Sequence, residues 1–221
     1  MLGMGTTLLM ADARDESETS HLVAQAAAGD EIAWAELIAR HRDRLKRMLA
    51  LRMDRRLQGR IDPSDVVQES CLVAAKLIAS YAANPTMPFY LWLRWIAGQK
   101  LIDQHRRHLG AEVRRAGREV SLYHGAFPET TSENLAAHLM GRSSTPSHEA
   151  IRLEQTSRLQ EALESLEPID REILSLRHFE QLSNGEAAAV LGLDKSAASK
   201  RYARALMRLK RILLPILDED I

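Results

Sequence analysis

Between Lys195 and Arg211 the chain carries Lys195, Lys200, Arg201, Arg204, Arg208, Lys210 and Arg211, and no Asp or Glu interrupts them. Neutralising a phosphate backbone requires a one-sided excess of cations of this kind. Ala198, Tyr202, Ala205, Leu206 and Leu209 recur at helical spacing through the same stretch and predict a buried stripe. Ser196, Ala197 and Ser199 keep the first turns small or polar, as a helix entering a major groove needs. The bland alternative is a basic, solvated helix in an ordinary bundle. The segment that precedes it favours DNA.

That segment runs from Ser183. Ser183 caps a short helix through Leu191, and Glu186 completes a capping box with it. Gly192 supplies the left-handed residue that ends the helix, Leu193 plugs inward, and Asp194 caps a second helix from Lys195. A short helix, a turn opened by Gly and a longer basic helix make a helix-turn-helix pattern.

The rest of the chain must hold this unit in place. Among 221 residues, hydrophobic types are 45% and aromatics only 5%, with Ala, Leu and Arg prominent, which suits helices over sheets. Formal net charge is +0, so a nucleic-acid surface must come from segregated charge. Cys71 is the only cysteine, which excludes an internal disulfide and a Cys-based zinc site, and its spacing places it in a core. No run is expected to reach transmembrane length. A reducing cytoplasm is the expected location.

Residues 1–19, with Asp12, Asp15, Glu16 and Glu18, read as a disordered acidic leader. Ser20 is expected to open a short helix closed by Gly29, and Asp30 to cap the next one. There Trp34, Leu37, Ile38, His41, Leu45, Met48 and Leu49 form the stripe, with His41 as a hydrogen-bonded, half-buried histidine. Asp62-Pro63-Ser64-Asp65 starts a third helix, with Pro at its first position and Asp65 complementing the dipole. Val66, Val67, Ser70, Cys71, Ala74, Leu77, Ile78 and Tyr81 continue it as an amphipathic helix and form its inward stripe, which leaves Asp65, Gln68 and Glu69 outward.

Asn84-Pro85-Thr86-Met87-Pro88 breaks the chain, and a fourth helix follows to about Leu109. Phe89, Trp92, Leu93, Ile96 and Ala97 are its core stripe, with Tyr90, Arg94, Trp95, Gln99 and Lys100 expected largely off it. The helix ends in His105-Arg106-Arg107-His108, and Arg114, Arg115 and Arg118 follow. Aromatics beside cations suit single-stranded or partly melted nucleic acid, and a phosphate-facing role fits His105 and His108 better than metal.

Asp62-Pro63-Ser64-Asp65-Val66-Val67-Gln68-Glu69 resembles the Asp-x-x-Asp-hydrophobic-Val-Gln-Glu signature of the extracytoplasmic-function (ECF) sigma factors of the sigma-70 family. Phe89 to Ala97 is similar to that family's Phe-x-x-Trp-Leu-x-x-Ile-Ala helix, and Leu166 to Leu174 with Leu182 to Leu206 to its promoter −35-binding domain. Gly98-Gln99 stand where the family more often has Arg-Asn; Ala197-Ala198 replace a usual Thr-Val, and alanine offers no hydrogen bond to a base.

The resemblance implies an all-α fold of two small helical domains. Residues 20–109 would be the core-polymerase and −10 domain (sigma region 2), 110–150 a flexible linker, and 151–217 the −35 helix-turn-helix (region 4). It implies core-polymerase contacts from Asp65, Gln68 and Glu69, and −10 contacts from Asn84, Thr86, Arg94, Gln99, Lys100, Arg106 and Arg107. The −35 contacts would be Lys195, Ser196, Ser199, Lys200, Arg201 and Arg204, with Lys195 and Arg201 on phosphate. Bacterial core RNA polymerase and promoter DNA are the implied partners, with an anti-sigma factor as a further candidate and no membrane. No Gly-rich phosphate loop, nucleophile pair or metal-ligand cluster appears, so no enzyme activity and no cofactor is expected. The rival is a stand-alone helix-turn-helix regulator that binds operator DNA unaided.

Overall fold

The computed structural model describes residues 16–109, 130–140 and 149–218, and within them every regular element is helical. The expectations for most of the leader, for Arg114, Arg115 and Arg118, and for residues 110–129 and 141–148 of the connector lie outside the described residues.

The first helix, α1 (residues 16–27), already includes Glu16; Ser20 does not open it, and its hydroxyl donates to Glu16 O at 2.8 Å from within it. Asp30 caps α2 (Glu31–Arg52) by accepting from the Ile32 and Ala33 amides. Asp62 accepts from Ser64 N at 2.7 Å to start α3 (Pro63–Ala83). A tyrosine closes the loop after α3. Tyr81 donates to Met87 O at 2.7 Å, its ring stacks on Trp92 with centroids 4.5 Å apart, and Phe89 lies at 5.9 Å. From there α4 (Phe89–Leu109) runs through the core of this half.

Two expectations on these helices fail. Tyr90 and Arg94 are buried where the stripe placed them outward, and Leu77, expected in the core, is 42% exposed. By length and mean hydropathy α3 does reach the range of a membrane span, although only 33% of its apolar window is buried in the structure. Its buried residues Val66, Val67, Ser70, Ala74, Ile78 and Tyr81 form one stripe, as in the core helix of a bundle.

The C-terminal half comprises α6 (Glu149–Glu164), α7 (Pro168–Leu174), α8 (Asn184–Leu191) and α9 (Lys195–Asp218). Its local signals are those of the sequence. Ser183 and Glu186 form the capping box, Gly192 adopts φ 63°, and Asp194 accepts from Ala197 N at 2.8 Å. Between the halves, α5 (Ser132–Met140) lies within the stretch expected as a flexible linker, and it packs on both sides. Leu135 and Ala136 are buried with Leu51, Leu159 and Leu163, and Asn134 Nδ2 donates to Leu51 O and Met53 O at 3.0 and 3.2 Å.

The halves close on a buried carboxylate. After α7 a π-helical turn (Ser175–Phe179) leads to Glu180 and then to Gln181, a non-glycine residue at φ 55°. Arg52 Nε and Arg94 Nε donate to the two Glu180 oxygens at 2.6 Å each, and none of the three side chains is more than 5% exposed. Arg52 also pairs with Glu172, Arg44 donates to Glu180 O at 2.9 Å and to Glu186 at 2.8 Å, and Arg47 reaches Gln181 at 2.6 Å. Leu176, Leu182 and Ala187 join the apolar core of the N-terminal half. Burial alone would push the Glu180 carboxyl up; attraction to Arg52 and Arg94 and their hydrogen bonds outweigh it and hold the carboxyl at about 2. Burial likewise works to lower Arg52, and Glu172 and Glu180 overcome it and raise it.

Ser183→Ala removes one half of the capping box and is expected to cost about 1 kcal/mol, read as a lower urea midpoint at unchanged slope. Tyr81→Phe leaves the Met87 carbonyl without its donor and should cost about 1 kcal/mol. Burial pushes the Tyr81 phenol from 10.0 up to about 12. Its contribution is therefore fully present below about 10 and is lost as pH rises toward about 12. Alkaline urea titrations of the native protein should show this loss, and those of Tyr81→Phe should lack it.

Candidate nucleic-acid and polymerase interface

In α9 the side chains of Lys195, Ser196, Ser199, Lys200 and Arg204 are all exposed, while Ala198 and Ala205 are fully buried. Steps of three and four residues put the exposed set on one face, about 14 Å long at 1.5 Å per residue. The supporting helix α8 is tied to its start: Asn184 Nδ2 donates to Lys195 O at 2.8 Å. A Cβ on Gly185 would stand 3.2 Å from Lys195 Cε, so the two helices approach closely at this corner. Leu193 N donates to Ala188 O at 2.9 Å, which sets the turn between them.

Arg201 departs from its expected place on phosphate. Its guanidinium donates to Asp170 at 2.7 Å and to Glu167 at 3.1 Å, both at the start of α7, and is only 25% exposed. Its hydrogen bonds to these two carboxylates raise its pKa, Asp170 having the larger effect. Arg208 reaches the same Asp170 at 3.3 Å. Two cations of the basic run therefore hold α9 onto α7, which leaves Lys195, Lys200 and Arg204 exposed along the first turns, with Lys210 and Arg211 exposed further on.

The N-terminal half offers a longer surface. Asn84, Pro85 and Thr86 are exposed in the loop that Tyr81 closes, Gln99 and Lys100 are half-buried on α4, and Arg106 and Arg107 are exposed at its end. The four helix groups span about 12 Å at 1.5 Å per residue, and the loop at the start of α4 lies about 27 Å along the axis from Arg107. Arg94 does not belong to this surface in the structure; it lies 4% exposed against Glu180. His105 is also inward. Its Nε2 accepts from Asp54 N at 3.3 Å, and burial lowers its pKa against the opposing pull of Asp54. His108 is exposed.

Beside the 84–88 loop lies a cavity of about 490 Å³, lined among others by Pro85, Phe89, Tyr90, His41, Arg44 and Glu186 of the C-terminal half. His41 is buried there with its ring 5.5 Å from Phe89, and the Arg44 guanidinium stacks 3.6 Å over the Tyr90 ring.

A third surface is the outward side of α3. Asp65, Gln68 and Glu69 are exposed on it, and so is Leu72, at 67%. The periodicity that put Gln68 and Glu69 outward also put Leu72 there, at steps of four and three residues. Leu72 is apolar, so nothing in its type marks it in the sequence as a surface residue. Glu180 and its arginines were missed because their pairing spans 128 and 86 residues and leaves no local signal.

The sequence profile of the ECF sigma factors matches residues 16–213. The ECF RNA polymerase sigma factor SigD of Mycobacterium tuberculosis is 33% identical over 190 residues, covering 86% of this chain and 81% of SigD. The RNA polymerase sigma factor CnrH of Cupriavidus metallidurans is 29% identical over 194 residues, covering 87% of this chain and 92% of CnrH. A solved structure of CnrH in complex with the cytosolic domain of CnrY superposes with a TM-score of 0.51 at 27% identity, covering 92% of this chain and 99% of that one. Helices in this order, a profile match over nearly the whole chain and relatives of matching length agree: the protein belongs to the ECF sigma factor family, the promoter-specificity subunits of RNA polymerase.

Proposed function

We propose that the chain joins core RNA polymerase through the outer side of α3 and reads promoter DNA with two separate surfaces. Asp65, Gln68, Glu69 and Leu72 dock on polymerase. Lys195, Ser196, Ser199, Lys200 and Arg204 enter the major groove of the −35 duplex, and Asn84, Thr86, Gln99, Lys100, Arg106 and Arg107 track the separated strand of the −10 element. The observation that carries this reading is the exposed, acid-free outer face of α9, held at its corner by α8. Lys195 and Arg204 neutralise phosphate, while Ser196, Ser199 and Lys200 reach base edges, where a good pairing discriminates by about 1–3 kcal/mol. Ala197 and Ala198 add no hydrogen bonds, so groove shape supplies part of the selectivity.

In this reading the chain works in the cytoplasm beside polymerase and DNA and carries out no reaction of its own. CnrH is solved in complex with the cytosolic domain of CnrY, and on that likeness we extend the proposal to a protein partner of the anti-sigma class.

Mixing the purified protein with core polymerase should give co-elution and transcription from a defined start site. Gln68→Lys with Glu69→Lys should abolish co-elution and leave the circular-dichroism melt unchanged. With the holoenzyme, Lys200→Ala should relax selectivity among −35 variants, whereas Lys195→Ala should weaken all of them alike and reduce the salt slope by about one. Tight, dimeric binding to duplex DNA without polymerase would instead support a stand-alone regulator.

A further inference from the structure

The two DNA-reading surfaces belong to different halves, and the halves are closed on each other. By their names the −35 and −10 elements lie about 25 base pairs apart, which is about 85 Å of duplex at 3.4 Å per pair. A compact chain of 221 residues has a radius of gyration of about 17 Å, hence a diameter of about 45 Å. The closed chain cannot lay both surfaces on one promoter. Productive binding needs the halves apart.

What holds them together is specific. Glu180 has no exposed surface and is gripped by Arg52 of α2 and Arg94 of α4, with Arg44 on its carbonyl. Glu172 and Glu186 pair with Arg52 and Arg44 on either side, so acidic groups of the C-terminal half face a row of arginines on the N-terminal half. The segment that delivers Glu180 is irregular: a π-helical turn before it and Gln181 at φ 55° after it. Both features are uncommon, and such geometry concentrates at functional and switching segments. Glu186 also lines the cavity beside the 84–88 loop, so residues of both halves meet there as well.

We propose that this contact is an autoinhibitory latch: Glu180 seated between Arg52 and Arg94 holds the free chain closed, and joining core polymerase requires its release. The latch rests on the promoter-specificity reading for its purpose and not for its existence. Apparent affinity for polymerase is lowered by the fraction of chain that is open, so loosening the latch raises affinity by the same factor. Release also returns Arg94 to the surface of α4, where its charge can meet phosphate.

The test uses the full chain with Cys71→Ser and a fluorophore pair on cysteines placed at exposed Ala79 and Met207, followed by energy transfer. Glu180→Arg sets a third cation between Arg52 and Arg94 and should raise the open fraction by about tenfold or more, with core-polymerase affinity rising in parallel. Adding Arg94→Glu restores an opposite-charge pair and should close the chain again, an outcome that simple misfolding cannot produce. In a second arm, Arg47→Cys and Gln181→Cys are joined by a reductant-cleavable bis-maleimide. The joined chain should lose promoter-specific transcription and regain it on cleavage. The proposal is overturned if Glu180→Arg leaves energy transfer and affinity unchanged, or if the joined chain transcribes as well as the cleaved one. The distance measurement needs no polymerase. A chain that opens on Glu180→Arg but never binds polymerase therefore counts against the promoter-specificity reading and not against the latch.

Discussion

A carboxylate with no exposed surface, held by two guanidiniums from the other half of the chain, decides how this molecule is arranged. Removing such ions from water costs several kcal/mol each, and only close pairing with further hydrogen bonds offsets it. Here the pairing is close: Nε and a terminal nitrogen of Arg94 both engage the carboxylate, and Arg52 divides its guanidinium between Glu180 and Glu172. An arrangement of this kind gives modest net stability but a large penalty for mispairing, so it fixes one relative placement of the halves among many that apolar contact alone would allow. Because the carboxyl stays ionised down to about 2, ordinary changes of pH do not disturb it. Only a competing surface can.

The same economy of charge shapes the DNA-reading side. The chain has as many acidic as basic residues, 30 of each, so every cation on a nucleic-acid face must be kept away from a carboxylate. In α9 the separation follows helical phase. Arg201 and Arg208 turn toward Asp170 and lock the helix onto α7, while Lys195, Lys200 and Arg204 face away from it. Removing the internal pairs would loosen the platform, and removing the outer cations would leave the platform intact and weaken its grip on phosphate. One basic run thus does two jobs that composition alone cannot tell apart.

What could be read from the sequence divides along that line. The capping box, the Asp62-Pro63 start and the left-handed Gly192 are set by neighbours within four residues, and the structure places them as read. The outward side of α3 and most of the α9 face were legible for the same reason, since one helix stripe predicts its opposite. Arg94, Arg201 and His105 were misplaced because each is turned inward by a partner remote in sequence: Glu180, Asp170 and the Asp54 amide. Helical periodicity reports how a residue lies on its own helix and carries no information about a charge arriving from elsewhere. Tyr90 illustrates the limit well, being covered by an arginine of α2 stacked on its ring.

The connector helix α5 shows how closure and opening can share one scaffold. Its apolar side packs with Leu159 and Leu163 of α6 and with Leu51 of α2, and Asn134 caps the carbonyls of Leu51 and Met53 at the end of α2. Carbonyls at a helix end have no intrahelical donor and accept from water equally well, so parting from Asn134 costs them little. Apolar contacts have no such substitute, because water cannot replace buried leucine, and α5 packs far more extensively on α6 than on α2. When the halves separate, α5 therefore travels with the C-terminal half and the parting line runs between Asn134 and the end of α2. That line continues through Arg52, the last residue of α2, straight to Glu180. Capped carbonyls and paired guanidinium lie at one helix terminus, so a single displacement there releases both.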